Sequence, residues 1–193
     1  MVQSINMAGI RTAWTLLTQP SLLRPDIVVS DIRALSWDKL RKRGIRFLVF
    51  DKDNCLTAPY VSTIHPPYTD AWTTCLKEFP DRVLIVSNSA GTNDDPEFRS
   101  AQAVEKALGA RVLRHSEKKP RCGPEILQAL RASPEEVAVV GDRLSTDVVL
   151  ANMHGMTSVW VQNIVSRQGD NRVACALRDA EHAAYRIAMR WGW

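Results

Sequence analysis

The chain has 193 residues, of which 45 % are apolar, and a formal net charge of +4. That length carries one domain with a well-buried core, and that composition excludes a disordered or low-complexity chain. The basic balance favours anionic partners as a class, whether phosphate esters, anionic lipid or nucleic acid, without choosing among them.

Cys55, Cys75, Cys122 and Cys175 are far apart, with neither a CxxC pair nor a metal-ligand spacing. A disulfide scaffold or a zinc site is therefore not expected, and a reducing compartment is. No apolar run approaches the ~20 residues of a spanning helix, and the start lacks the basic tip and apolar stretch of a secretory signal.

Asp26 is the first acid of the chain; Arg11, Arg24 and several hydroxyl side chains precede it, which is the bias of a transit peptide. Met7, Ile10, Trp14 and Leu17 share one helical face. That face predicts an amphipathic helix, either packed on its own domain or acting as a targeting or membrane-surface element. Residues 19–30, with Pro20 and Pro25, read as a linker or extended segment. Residues 1–45 are thus expected to be an amphipathic, basic membrane-association or targeting segment, ahead of a main domain over 46–193. Within it, Lys39, Arg41, Lys42 and Arg43, with Arg46 beyond, form a basic patch. Alone the patch reads as a solvated helix end closed by Gly44, and its place before the first strand keeps an anion-facing role open.

From there apolar runs alternate with helical patterns. Strands are predicted at 47–50 (FLVF), 83–86 (VLIV), 111–113 (RVL), 137–140 (VAVV) and 157–161 (TSVWV). Helices are predicted at 67–79, 95–108, 124–132 and 146–154, with Pro124 in a first turn and Gly109 and Gly155 as stops. Continuous apolar strands between helices mean a parallel sheet covered on both faces. The fold class is α/β: a doubly wound, Rossmann-like parallel sheet of about five strands. In such sheets ligands sit beyond the carboxyl ends of the strands. Asp51, Ser87 and Asp142 stand there on successive runs.

Four elements carry the chemistry. Asp51 and Asp53, in the run DKDNCLT after the first strand, can converge on one point, although acids are common in turns. Asp142 and Asp147 flank a loop running into a helix; Asp147 alone could be a helix cap, but that does not explain Asp142 at a strand end. Carboxylates gathered at one edge repel unless protonated or bridged by a cation, and all-oxygen ligation fits magnesium. Ser87 and Asn88, in the run SNSAG, offer donors to phosphoryl oxygens. Lys118 and Lys119 precede Pro120, and a lysine there can neutralise Asp51 and a bound phosphate.

In this order, at these strand ends, the four elements resemble the haloacid dehalogenase-like phosphohydrolase superfamily, over roughly residues 46–162. The resemblance implies Asp51 as nucleophile, Asp53 as general acid and base, Ser87 and Asn88 as phosphoryl binders, and Lys119, next to proline, as the charge-stabilising lysine. It implies Mg2+ held by Asp51, the main-chain carbonyl of Asp53, Asp142 and Asp147, the last directly or through water. Asn54 departs from the usual motif without touching the core chemistry. Cap domains of this superfamily lie between the second motif acid and the serine, or between the serine and the lysine. Residues 54–86 and 88–118 each hold only a helix, loops and a strand, so no cap is expected and the site should be open to a large or surface-held substrate.

At finer scale DKDNCLT, VLIVSNSAGTNDD, VLRHSEKKPRCGPEIL and VAVVGDRLSTDVVLAN, with LLRPDIVV upstream, are similar to the fungal mitochondrial phosphatidylglycerophosphate phosphatases. That resemblance implies hydrolysis of phosphatidylglycerophosphate to phosphatidylglycerol for cardiolipin synthesis, as a peripheral protein on the matrix side of the mitochondrial inner membrane. The implied partners are the phospholipid substrate and an anionic membrane surface, with no nucleic acid and with a homo-oligomer left open. The C-terminal run from Arg186 to Trp193 suits a membrane interface or packing on the domain. The alternatives are a capless phosphatase for a soluble, nucleic-acid or protein phosphate, a non-enzymatic phospho-aspartate receiver, and an inactive adaptor. A receiver needs no DxD, and an adaptor would be expected to have lost a motif acid.

Overall fold

The computed structural model describes residues 19–190. The face expected on Met7, Ile10, Trp14 and Leu17 lies outside the described residues, as do Trp191 and Trp193.

Six strands form one sheet: β1 Ile27–Val29, β2 Phe47–Phe50, β3 Val83–Ile85, β4 Arg111–Val112, β5 Val137–Gly141 and β6 Thr157–Val161. Every pairing is parallel and the order is β1-β6-β5-β2-β3-β4. The helices are α1 Trp37–Lys42, α2 Thr69–Glu78, α3 Arg99–Leu108, α4 Gly123–Leu130, α5 Val149–Met153 and α6 Arg172–Arg190. Successive side chains of a strand point to opposite faces. Leu48 and Phe50 therefore pack with Trp72 and Val104 on one side, while Val49 packs with Ile126 and Leu150 on the other. Burial on both faces is why the central strands read as unbroken apolar runs.

The chain leaves β2 toward β3 and β4, then returns to place β5 on the other side of β2. The strand order reverses there, which opens a crevice beyond the carboxyl ends of β2 and β5. Asp51 leaves one of these strands and Asp142 the other. The segments 54–86 and 88–118 each supply one α-helix and one strand, so neither holds an inserted cap domain.

Residues 27–45 belong to the domain whose start the sequence places at 46. β1 pairs with β6 at the sheet edge, and Ile32, Leu35, Leu40 and Ile45 are buried in the core. Asp26 secures this edge by accepting from the Ser158 backbone N–H at 2.8 Å. A three-residue edge strand beside proline carries too little pattern to separate it from a linker.

The basic patch is the end of α1, with Gly44 at φ +87. Lys42 pairs with Asp38, Arg41 with Glu78 and Arg46 with Glu136. It lies at the amino-terminal end of β2, so it faces away from the crevice.

Candidate active site

Asp51 continues the line of β2 by one residue, its N–H donating to the Val140 carbonyl at 2.8 Å. This fixes the carboxylate beside the end of β5, where Asp142 emerges. Next comes one turn of π-helix, Leu144–Val148, which carries Asp147 back over Gly141. A Cβ on Gly141 would lie 2.3 Å from the Asp147 carboxyl carbon, so only glycine lets Asp147 approach. Asp51, Asp142 and Asp147 each present an oxygen within 4.8 Å of the others. Lys119 closes the group: its Nζ donates to Asp51 Oδ1 and to Asp147 Oδ1, both at 2.6 Å. Lys118, half-exposed on the cleft lining, pairs instead with Asp94.

Burial pushes the Asp51 carboxyl above its ordinary value; Lys119 pulls it down and Asp147 pushes it up. Asp142 is driven well above the ordinary range by burial, with Asp51 and Asp147 adding to it. Burial alone would lower the Lys119 ammonium, but the Asp147 and Asp51 carboxylates outweigh it and hold the lysine charged. When ionised, the three carboxylates face two cations, Lys119 and Arg178, leaving one negative charge in excess. Among the described residues, Asp142 Oδ1 is the buried side-chain oxygen or nitrogen without a hydrogen-bond partner. A buried carboxylate oxygen left unpaired is costly, and a hard cation would satisfy it. The donor set therefore fits a magnesium-type ion.

The Asp53 carboxylate stands apart from this cluster. Oδ1 accepts from the Tyr60 N–H at 2.8 Å and from Lys52 Nζ, and Oδ2 accepts from Ser89 Oγ at 3.1 Å. Any contribution of Asp53 to the cation would come from its main-chain carbonyl. Ser87 Oγ is buried and accepts from the N–H groups of Ser89 and Ala90. Its hydroxyl lies 3.0 Å from that of Ser89, which reaches Asp53. Asn88 Oδ1 accepts from the Lys119 N–H at 2.9 Å, tying the loop after β3 to the lysine. Asn88 and Ser89 line the cleft itself, whose volume is about 520 Å³.

Sequence reasoning missed Arg178. It sits on α6, its Nε donating to Asp142 Oδ2 at 2.6 Å and an Nη to Asp170 Oδ2 at 3.0 Å. Asp170 Oδ2 also accepts from Asn54 Nδ2 at 2.8 Å, and Asn54 Oδ1 accepts from the Ser166 N–H at 2.9 Å. Asn54 occupies the left-handed region at φ +65, where asparagine is among the tolerated residues. One polar chain thus runs from the Asp51 loop through Asp170 and Arg178 to Asp142. α6 is fastened further by Glu181, which accepts from Arg143 and from the Leu144 N–H, and by His182 and Tyr185 against Trp160. No helix is predicted from sequence over Arg172–Arg190, so the inward face that carries Arg178 went unread.

Residues 7–166 match the family model described as mitochondrial PGP phosphatase. The chain is 39 % identical over 165 residues to the mitochondrial phosphatidylglycerophosphatase GEP4 of Saccharomyces cerevisiae, spanning 82 % of this chain and 88 % of that protein. It is 40 % identical to the chloroplastic phosphatidylglycerophosphate phosphatase 1 of Chlamydomonas reinhardtii, over 85 % of this chain and 62 % of that one. A probable phosphatase of Bacillus subtilis, YqeG, is 28 % identical over 82 % of this chain and 93 % of its own length.

Proposed function

We propose a lipid phosphatase reaction for this chain, which belongs to the mitochondrial PGP phosphatase family. The substrate is phosphatidylglycerophosphate, as the names of the relatives say of those proteins, and the product is phosphatidylglycerol for cardiolipin synthesis. The observation that carries the reading is the Lys119 ammonium held 2.6 Å from both Asp51 and Asp147 at the strand-order reversal. A nucleophile, a fixed cation and a cation-binding acid group thereby meet at one point.

In the first step an Asp51 carboxylate oxygen attacks phosphorus as the bond from phosphorus to the glycerol oxygen breaks, and Asp53 gives that oxygen a proton. In the second, Asp53 takes a proton from water as the water oxygen attacks the phosphorus of the aspartyl phosphate, which frees Asp51. Lys119 offsets charge on the transferring group throughout. Asn88, on the cleft lining, offers hydrogen-bond donors to the phosphoryl oxygens, Ser87 holds the turn from behind, and Ser89 with Lys52 orients Asp53. Mg2+ held by Asp51, Asp142, Asp147 and the Asp53 carbonyl would supply charge neutralisation for the dianionic phosphate.

The setting we propose is peripheral, on the matrix side of the mitochondrial inner membrane. Relatives named mitochondrial support it, and no described helix is long and apolar enough to cross a membrane. Phosphate release from phosphatidylglycerophosphate in phosphatidylglycerol vesicles, compared with a panel of soluble phosphate esters, tests the assignment. Preferential turnover of the lipid is expected. Faster turnover of a soluble ester would place the chain among phosphatases of soluble metabolites.

A further inference from the structure

α6 shows solvent an apolar stripe. Val173, Leu177, Ala180, Ala184 and Ile187 recur at i, i+4, i+7, i+11 and i+14, one face of a helix, and all five are exposed. Val173 is 68 % exposed and Ile187 58 %. The helix is not loosely held, because Arg178, Glu181 and Tyr185 fix its opposite side to the domain. Exposed apolar faces of this extent mark contact surfaces.

We propose that this face of α6 docks on an anionic lipid bilayer and brings the cleft mouth down onto it. The inference rests on the lipid-phosphatase reading above. Three observations select a bilayer as the occupant. Val173 and Leu177, at the start of the stripe, line the same cleft as Asp51. The same cleft is lined by Tyr60, 66 % exposed, an aromatic suited to the headgroup layer. Arg172, Arg186 and Arg190, all exposed, border the stripe, and Asp179 on the same flank is already paired with Arg167 at 2.6 Å. An apolar stripe edged by arginine is the pattern of a helix lying in an anionic interface. A second copy laid along the stripe would instead cover the mouth through which the substrate must enter. The basic end of α1, at the other end of the strands, would turn the cleft away from any surface it touched.

The test uses the full chain and phosphatidylglycerol vesicles without substrate, read by co-sedimentation, for wild type and the double variant Ala184→Glu/Ile187→Glu. Both positions are exposed and lie outside the cleft lining, so the melting temperature, measured alongside, is expected to hold. Apparent vesicle affinity should fall by about tenfold or more, since such binding scales with buried apolar area and with attraction to the surface charge. Vesicle binding equal to wild type in the folded variant overturns the proposal. So does unchanged binding accompanied by the splitting of a wild-type dimer in sedimentation, which would assign the face to a second copy. Wild type that binds vesicles yet leaves phosphatidylglycerophosphate in them intact would refute the substrate reading and leave the docking face standing.

Discussion

Arg178 and Asp142 are 36 residues apart in the chain, and the Nε of one lies 2.6 Å from the Oδ2 of the other. The pair is buried, and it orients Asp142 so that its second oxygen stays free for a cation. Removing one partner of a buried pair typically costs about 3–5 kcal/mol because the other charge is left uncompensated. Arg178→Met should therefore destabilise the protein by roughly 3 kcal/mol in urea unfolding without magnesium. Magnesium should recover part of that loss and be needed at higher concentration for turnover. An unchanged unfolding midpoint and unchanged magnesium requirement would show that Arg178 positions nothing.

Metal removal should stop turnover. Asp51, Asp142 and Asp147 gather within 4.8 Å and, when ionised, outnumber Lys119 and Arg178 even before a dianionic phosphate arrives. Excess chelator is expected to abolish phosphate release, and magnesium to restore it. Calcium should inhibit, because it accepts more ligands with looser geometry and can engage both oxygens of Asp51, removing the free one that must attack. Full activity in chelator would refute the requirement.

Asp95 is a structural acid on the rim of the same sheet edge. Its carboxylate accepts from the N–H groups of Gly91, Ser100 and Ala101, each at 2.9 Å, tying the loop after β3 to the start of α3. Burial raises its pKa, but the three N–H donors outweigh burial and bring it below the ordinary 3.8. A carboxyl depressed by folding adds stability above its unfolded value and loses it as pH falls through the folded value. Asp95→Ala should cost about 2 kcal/mol at neutral pH, through the orphaned N–H donors. The gap to wild type should narrow only below pH 3.8, as measured by thermal unfolding across an acid series. A gap that persists unchanged into that range would mean the carboxylate charge contributes nothing there.

Much of this was legible in the sequence, for physical reasons that also mark where legibility stopped. The run FLVF matches β2 residue for residue, because a strand covered on both faces needs unbroken apolar side chains; TSVWV matches β6 through its apolar Val159–Val161, while Ser158 is buried against Asp26. Asp51 and Asp142 could be read together because each directly follows a strand end, Asp147 because it follows Asp142 across one loop, and Lys119 only through the resemblance that singles out a lysine before proline; the structure brings the four together. β1 could not, since three residues between polar neighbours carry no period. Arg178 and Asp170 were invisible for a different reason. They reach the acid cluster through a long-range pairing, and the inward face of α6 is charged where periodicity leads one to look for apolar residues. Ser89 was overlooked beside Ser87; only the turn geometry shows that Ser89 lines the cleft and Ser87 supports it from behind.

The most direct measurement is to stop turnover of phosphatidylglycerophosphate with acid and locate the phosphoryl group on the protein by borohydride reduction and peptide mass. Wild type should carry it on Asp51 alone. Asp51→Asn should carry none and release no phosphate, while melting at or above the wild-type temperature, since a repelling charge has been removed. A phosphoryl group on another residue, or sustained turnover by cleanly prepared Asp51→Asn protein, would contradict the assignment of Asp51 as the nucleophile.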